Sequence, residues 1–66
     1  MQSWNLEKFV ERYGVVTTGR IWGVSHQAVS KAVINERDIQ IVKIDGFYEV
    51  HENKLLNKVA IDKVVL

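Results

Sequence analysis

Two glycines stand four residues apart between two stretches that have the apolar spacing of helices. Gly19 lies within VVTTGRIW, and Gly23 separates that stretch from VSHQAVSKAV. Two helices that cross steeply need a very small residue at their contact and a glycine in the turn between them. They also need apolar residues on both sides of the turn to hold the crossing angle. The residues that meet this need are Trp22, Val24 and Val29. The sequence therefore predicts two short helices joined by a tight turn at Gly23.

A further helix is predicted upstream, over residues 6–13. Charged residues fill one side of this stretch, and its apolar residues recur at helical spacing at Leu6, Phe9, Val10 and Tyr13. Asn5 is a residue type that caps helix N-termini, and Gly14 is placed to end the helix in a left-handed turn. We therefore expect the first helix to be separate from the one that follows.

The second and third helices have their own boundary signals. The second is predicted over about residues 16–22 and ends at Gly23. Its β-branched pairs would also suit a strand, but its length and flanking glycines favour a helix. Ser25 stands at an N-cap position, so the third helix is predicted to run from His26 to about residue 35 or 36.

The pattern changes to that of strands after residue 38. IQIVKI over 39–44 and FYEVH over 47–51 are rich in strand-forming residues, and Asp45-Gly46 between them is a strong hairpin signal. Ile39 and Ile41 share one face while Ile44 lies opposite, so either a bulge intervenes or both faces of this strand are buried. The N-terminal QSW is a candidate third, short strand.

The last fifteen residues, ENKLLNKVAIDKVVL, contain too many apolar side chains for a solvated tail. Neither a helical nor a strand period describes them. Two alternatives remain open: residues 52–66 cover the core of their own chain, or they form a dimerisation arm that contacts a second chain. The predicted fold is therefore α+β, with three helices followed by a β-hairpin in a small antiparallel sheet.

Composition restricts the classes of protein that this sequence suits. At 66 residues it is expected to form a single domain, 1–66, near the lower size limit for a chain that folds alone. Cysteine is absent, and the two histidines have no neighbouring ligand cluster, so we expect no disulfide and no metal. No segment resembles a membrane span or signal peptide, so a cytoplasmic protein with no membrane partner is expected. No catalytic constellation is recognisable, so we expect no enzyme, cofactor or small-molecule substrate.

The third predicted helix has one face that is polar but nearly uncharged. His26, Gln27, Ser30 and Lys31 share this face, whereas alanine and valine residues occupy the opposite one. Solvated helix faces usually carry paired Glu and Lys, and this one does not. Gln and Ser suit the edges of bases in the major groove, and Lys suits guanine or phosphate. An ordinary exposed face is the alternative, and the net charge of +1 argues for only modest non-specific affinity for DNA.

The order of helix, glycine turn and polar helix is that of a helix-turn-helix, whose second helix enters the major groove. On these residues the sequence resembles the Cro repressors of lambdoid phages. The shared features cover about residues 4–50: the opening of helix 1 from Leu6 to Phe9, RYG at 12–14, GV at 23–24, AVSKAV at 28–33, Arg37, and DG at 45–46. The resemblance implies a repressor that binds double-stranded, pseudo-palindromic operator DNA as a homodimer and dimerises through its last strand.

The resemblance also implies roles for individual residues. Candidate base contacts are His26, Gln27, Ala28, Ser30 and Lys31. Candidate contacts to the DNA backbone are Thr17, Ser25 and Arg37, and candidate dimerisation residues are Val50, Leu55 and Leu56. Two positions depart from the family pattern. Val15 stands where the family often has a glutamine for a phosphate, and Asp38 replaces a basic residue.

The hypothesis is therefore a phage-type repressor that acts in the bacterial cytoplasm. Two alternatives remain. An excisionase-like architectural protein would bend DNA and recruit a recombinase. A protein-interaction module would use the same shape without DNA, and the low net charge and the apolar tail favour it.

Overall fold

The computed structural model describes residues 1–64. The chain forms helices and one four-stranded antiparallel sheet, which confirms the α+β prediction. In chain order the elements are β1 (Gln2–Asn5), α1 (Leu6–Trp22), α2 (His26–Ile34), β2 (Gln40–Ile44), β3 (Phe47–His51), β4 (Leu55–Ala60) and a short 3-10 turn (Ile61–Lys63).

The first two predicted helices form α1, which is broken at one residue. Gly14 has φ 87° and ψ 163°, an extended conformation that L-residues avoid, and the backbone is helical on both sides of it. The expected left-handed turn is therefore wrong in ψ, although φ is positive as predicted. The Asn5 side chain accepts a hydrogen bond from the backbone N–H of Lys8 at 2.9 Å, which confirms the N-cap. The two segments of α1 and α2 are the three predicted helices.

α2 is slightly shorter than predicted. It ends at Ile34 because Asn35 is its C-cap and Glu36 adopts a left-handed conformation with φ 54°. An exposed helix end varies by one or two residues without altering the packing. Its buried side is formed by Val29 and Ala32, which are 0% and 2% exposed. These small side chains let α2 pack closely against α1.

The sheet has the strand order β1-β2-β3-β4, and all its pairs are antiparallel. Asp45 and Gly46 connect β2 and β3 with φ values of 53° and 97°, as a two-residue type I′ hairpin requires. Both the predicted hairpin and the N-terminal strand are confirmed. β2 pairs without a bulge, and its two faces differ: Ile41 is fully buried, whereas Val42 and Ile44 are half-buried on the outer face.

The tail forms the fourth strand and packs on its own chain. Tyr48 pairs with Val59 and Val50 pairs with Asn57, but His51 pairs with Leu55, so Leu56 is an extra residue in a bulge. Leu56, Val59, Ile61 and Val64 are half-buried against the core. The predicted tail also included Val65 and Leu66, which lie outside the described residues.

The core lies between the inner face of the sheet and the helices. An aromatic cluster occupies one end of it: the Phe9 ring centroid lies 5.1 Å from that of Trp4, 4.6 Å from Tyr13 and 6.0 Å from Tyr48. Aromatic pairs at such spacing stabilise a fold beyond the area they bury. The ten buried apolar residues are Leu6, Phe9, Ile21, Trp22, Val29, Ala32, Ile39, Ile41, Tyr48 and Val50.

Candidate nucleic-acid interface

The turn between α1 and α2 depends on two glycines for different reasons. The Gly19 carbonyl oxygen accepts hydrogen bonds from the backbone N–H groups of Gly23, at 2.7 Å, and Val24, at 3.0 Å. Gly23 has φ 84° and ends α1 in the left-handed conformation. A Cβ atom on Gly19 would lie only 2.7 Å from the Val24 carbonyl oxygen. The chain can therefore turn this tightly only because Gly19 has no side chain.

Asn57 of β4 ties the sheet to the end of α1. Its Nδ2 group donates a hydrogen bond to the Ile21 carbonyl oxygen at 2.8 Å. That oxygen is one of the carbonyls that a helix leaves unpaired in its last turn. A Cβ atom on Gly23 would lie 3.3 Å from the same Nδ2. Asn57 was not among the predicted site residues, and its only signal in the sequence was its polar character inside an apolar tail.

The N-terminus of α2 is capped by a side chain and carries no acidic residue in its first turn. The Ser25 hydroxyl oxygen accepts a hydrogen bond from the Ala28 backbone N–H at 3.1 Å, which confirms the predicted cap. The partial positive charge of a helix N-terminus attracts phosphate, and a carboxylate there would oppose it. The end of α2 nearest the turn is thus suited to an anionic partner.

The five predicted base-contacting residues share one shallow concave surface on α2. His26, Gln27 and Lys31 are exposed, whereas Ala28 and Ser30 are half-buried. We name the four polar members of this set, His26, Gln27, Ser30 and Lys31, the polar face. It contains one lysine and no arginine, aspartate or glutamate. Ser25 and Ile34 line the same surface, and Ile34 was not among the predicted site residues.

The side chains of the polar face are unpaired within the part of the chain that the structure describes. Gln27, Ser30 and Lys31 make no side-chain hydrogen bond or ion pair with another of residues 1–64. No described carboxylate pairs with Lys31, and the amide of Gln27 keeps its donor and acceptor groups. These groups are available to a bound molecule.

The three residues predicted to contact the DNA backbone have different environments. Thr17 is half-buried in α1, and Ser25 is exposed at the cap of α2. Arg37 follows α2, and its guanidinium donates hydrogen bonds from Nε and Nη2 to the two carboxylate oxygens of Glu52, at 3.0 and 2.6 Å. Its guanidinium carbon lies 5.4 Å from the centre of the Trp22 ring.

This ion pair changes the titration of both groups. The hydrogen bond from Arg37 lowers the pKa of Glu52, and the same bond raises the pKa of Arg37. The Glu52 carboxylate thus places a negative charge beside the Arg37 guanidinium. The partner of Arg37 lies fifteen positions away along the chain.

The three candidate dimerisation residues differ in exposure. Leu55 is 51% exposed and Leu56 is half-buried. Val50 of β3 is fully buried on the inner face of the sheet, so the structure does not present it to a second chain. β4 is the last strand in the sheet order, and its outer edge pairs with no other strand of residues 1–64.

Two further observations concern residues 1–64 only. No group of three or more His, Asp or Glu side chains in this range is arranged to hold a metal ion. None of the helices in this range has the length and apolar character that crossing a membrane requires.

A glycine turn between two packed helices, followed by a helix with an unpaired polar face, defines a helix-turn-helix DNA-binding protein. The Cro family model matches residues 1–58, and the chain belongs to the Cro family of DNA-binding transcriptional regulators. It is thus a Cro-type regulator of the kind that bacteriophages encode. No curated protein and no solved structure is significantly similar to it.

Proposed function

We propose that this protein is a repressor that binds pseudo-palindromic operator DNA as a homodimer, with α2 of each copy in a major groove. The observation that carries the proposal is the polar face, whose hydrogen-bonding groups are exposed and unpaired beside a capped helix N-terminus. Buried or paired groups would have been unable to read a base.

Each residue of the polar face suits a particular contact. Gln27 can form two hydrogen bonds with one adenine, Lys31 can donate to guanine, and Ser30 can bond either kind of base. His26 stands in the first turn, the part of a recognition helix that enters the groove most deeply. Ala28 is small enough for the helix backbone to approach the bases. These five residues form the base-reading set of the proposal.

Contacts to phosphates would fix the position of α2 in the groove without reading sequence. Thr17, Ser25 and Arg37 are the residues proposed for this role. Ser25 lies at the helix N-terminus, where a phosphate is most favoured. Arg37 still has unused guanidinium donors beyond the two that bind Glu52, but its pairing with Glu52 reduces its attraction for a phosphate.

The second copy would pair along the free edge of β4. An exposed strand edge presents unpaired backbone groups that another strand can bond, and two-fold symmetry lets the same edge serve both copies. Leu55 and Leu56 are the proposed apolar contacts at this edge. Val50 of β3 pairs with Asn57 of β4, so its proposed part in the dimer is to support that strand. In this proposal residues 1–66 act as one domain.

Repression would require only that the dimer occupies its operator. A dimer bound to DNA that the bacterial polymerase needs would block transcription in the host cytoplasm without a catalytic step or a cofactor. Two half-sites about one helical turn apart would face the two copies of α2.

Selection from a pool of randomised duplexes, repeated at two salt concentrations, tests the proposal. The expected result is a two-fold symmetric site with half-sites about 10 base pairs apart, bound less tightly as salt rises. Lys31→Ala should weaken binding to that site, whereas Lys8→Ala, which removes the same charge from α1, should not. No consensus at low salt would contradict DNA reading and indicate a protein partner. Strong bending with filament formation would indicate an architectural role.

A further inference from the structure

Ile34 is the one large apolar residue among those that line the concave surface on α2. It is the last residue of α2, is 77% exposed, and lines the same concave surface as the polar face. Single exposed apolar residues are common on proteins and by themselves indicate nothing. Ile34 differs because its neighbours are the groups that are proposed to meet the bases.

The position of Ile34 on the helix places it within this surface. At about 100° per residue, Ile34 lies about 80° around α2 from His26, between Ser30 at about 40° and Gln27 at about 100°. The buried side of the helix, formed by Val29 and Ala32, is elsewhere. Ile34 therefore adds little to the core. A β-branched residue also has a lower helix propensity than the lysine or glutamate typical of an exposed position.

We propose that Ile34 contacts the C5 methyl group of a thymine in each half-site and is thus a specificity-determining residue. Thymine is the only standard base that presents an apolar group in the major groove, and an apolar side chain is its natural partner there. The branched side chain of isoleucine is stiff, so little rotational freedom is lost on contact. This proposal depends on the proposed function, since it requires α2 to lie in the groove.

The length of α2 is compatible with this contact. Ile34 follows His26 by eight residues, which corresponds to about 12 Å along the helix axis. With α2 lying in the major groove, Ile34 would stand at the opposite end of the helix from Ser25. It would read a different base pair from the one that Gln27 reads.

Deoxyuridine substitution tests the contact directly because it removes only the C5 methyl of thymine. Each thymine of the selected operator is replaced in turn, and the Kd of each duplex is measured for the unaltered protein and for Ile34→Ala. We expect one thymine per half-site whose replacement weakens binding of the unaltered protein about fourfold, and roughly 15-fold when both half-sites are changed, from the usual cost of exposing a methyl-sized group. For Ile34→Ala the same replacements should have no further effect.

A matched control is Val16→Ala, which trims another exposed apolar side chain, on α1, that is 50% exposed. It should leave the sensitivity to the methyl group unchanged. Thermal unfolding checks that Ile34→Ala is folded, which is expected because the Ile34 side chain is largely exposed.

Two outcomes would overturn the assignment while leaving the proposed function intact. In one, Ile34→Ala keeps the same sensitivity to every thymine methyl. In the other, it loses dimerisation instead, which would place Ile34 in a contact between protein chains. Absence of any sequence-specific binding by the unaltered protein would overturn both proposals, so the two failures are distinguishable.

Discussion

Arg37 and Glu52 are joined by two parallel hydrogen bonds, from Nε to Oε2 at 3.0 Å and from Nη2 to Oε1 at 2.6 Å. The pair connects the chain that leaves α2 to the turn between β3 and β4, and the Arg37 guanidinium also lies over the Trp22 ring. A two-point contact of this kind holds arginine in one orientation. It therefore fixes the segment that follows α2 to the sheet and places a negative charge beside the guanidinium.

Glu52→Gln should increase the affinity for DNA. The substitution removes the carboxylate that neutralises Arg37, so the guanidinium becomes available to a phosphate. We expect tighter binding to all sequences alike. The plot of log K against log salt should be steeper by about 1.8, since each of the two copies in the dimer adds about 0.9. Glu49→Gln is the matched control, because Glu49 pairs with His51 and Lys58 on the outer face of the sheet. An unchanged salt slope in Glu52→Gln would show that Arg37 does not contact phosphate.

The same ion pair predicts a loss of stability in acid. Glu52 has a pKa below its usual value of 4.5 because Arg37 donates hydrogen bonds to its charged form. A carboxyl group whose pKa is lowered by folding stabilises the protein above its unfolded-state pKa, and this contribution disappears as the pH falls through the folded-state pKa. Glu52→Gln should therefore be less stable than the unaltered protein at pH 7, and the difference should shrink below pH 4.5. Urea unfolding across this range measures it; a difference independent of pH would contradict the ion pair.

Gly19→Ala should destabilise the protein by about 1–3 kcal/mol, the usual cost of forcing an extra group into a packed site. At an ordinary helix position the same change stabilises by about 0.5–1 kcal/mol. The sign of the change in the free energy of unfolding therefore distinguishes a crowded Gly19 from an ordinary helix position. The reason is the 2.7 Å separation that the new Cβ would have from the Val24 carbonyl oxygen. Thermal or urea unfolding gives the free energy. A stabilised Gly19→Ala variant would mean that the turn does not approach α1 this closely.

Gln27→Ala should weaken operator binding by about 1–3 kcal/mol and relax the preference at one base pair per half-site. The physical reason is the loss of two hydrogen bonds to the edge of one base. Quantitative binding profiles over all single-base variants of the operator provide the measurement. Gln2→Ala, which truncates an exposed glutamine of β1, is the control and should change nothing. An unaltered base preference in Gln27→Ala would exclude α2 as the reading helix.

Leu55→Asp should weaken dimerisation and, through it, operator binding, with little effect on the stability of the monomer. Leu55 is 51% exposed in the single chain, so a charge there disturbs the core little but would be buried in a dimer. Sedimentation equilibrium measures the association. Asn53→Asp adds the same charge two residues away, at an exposed position, and should leave association intact. Equal dimerisation of the two variants would place the interface elsewhere.

The local elements of this protein were predictable because each is encoded by neighbouring residues. Asn5 and Ser25 both cap helices as expected, and Asp45-Gly46 forms the predicted hairpin. α1 ends at Gly23 as predicted, and Gly23 adopts the left-handed conformation there. Caps, helical period and two-residue turns depend on residues only a few positions apart, so the sequence alone contains the information.

The tail was not predictable, and β4 shows why. The bulge at Leu56 interrupts the alternation of the strand, so Leu55 and Asn57 lie on different faces although they are two residues apart. Asn57 then occupies an inward position, where a polar residue is expected only if it has a partner. Its partner is the Ile21 carbonyl, 36 positions away. No periodic pattern could have identified this strand.

By itself the sequence determined the three helices, the glycine turn, the hairpin and the identity of the polar residues on α2. Only the tertiary structure decided that Glu52 is the partner of Arg37, that the tail closes the sheet as β4, and that Ile34 lies exposed beside the polar face. The physical reason is distance along the chain. A cap or a turn is chosen by local geometry, whereas a contact between remote residues exists only after the core has placed their backbones side by side.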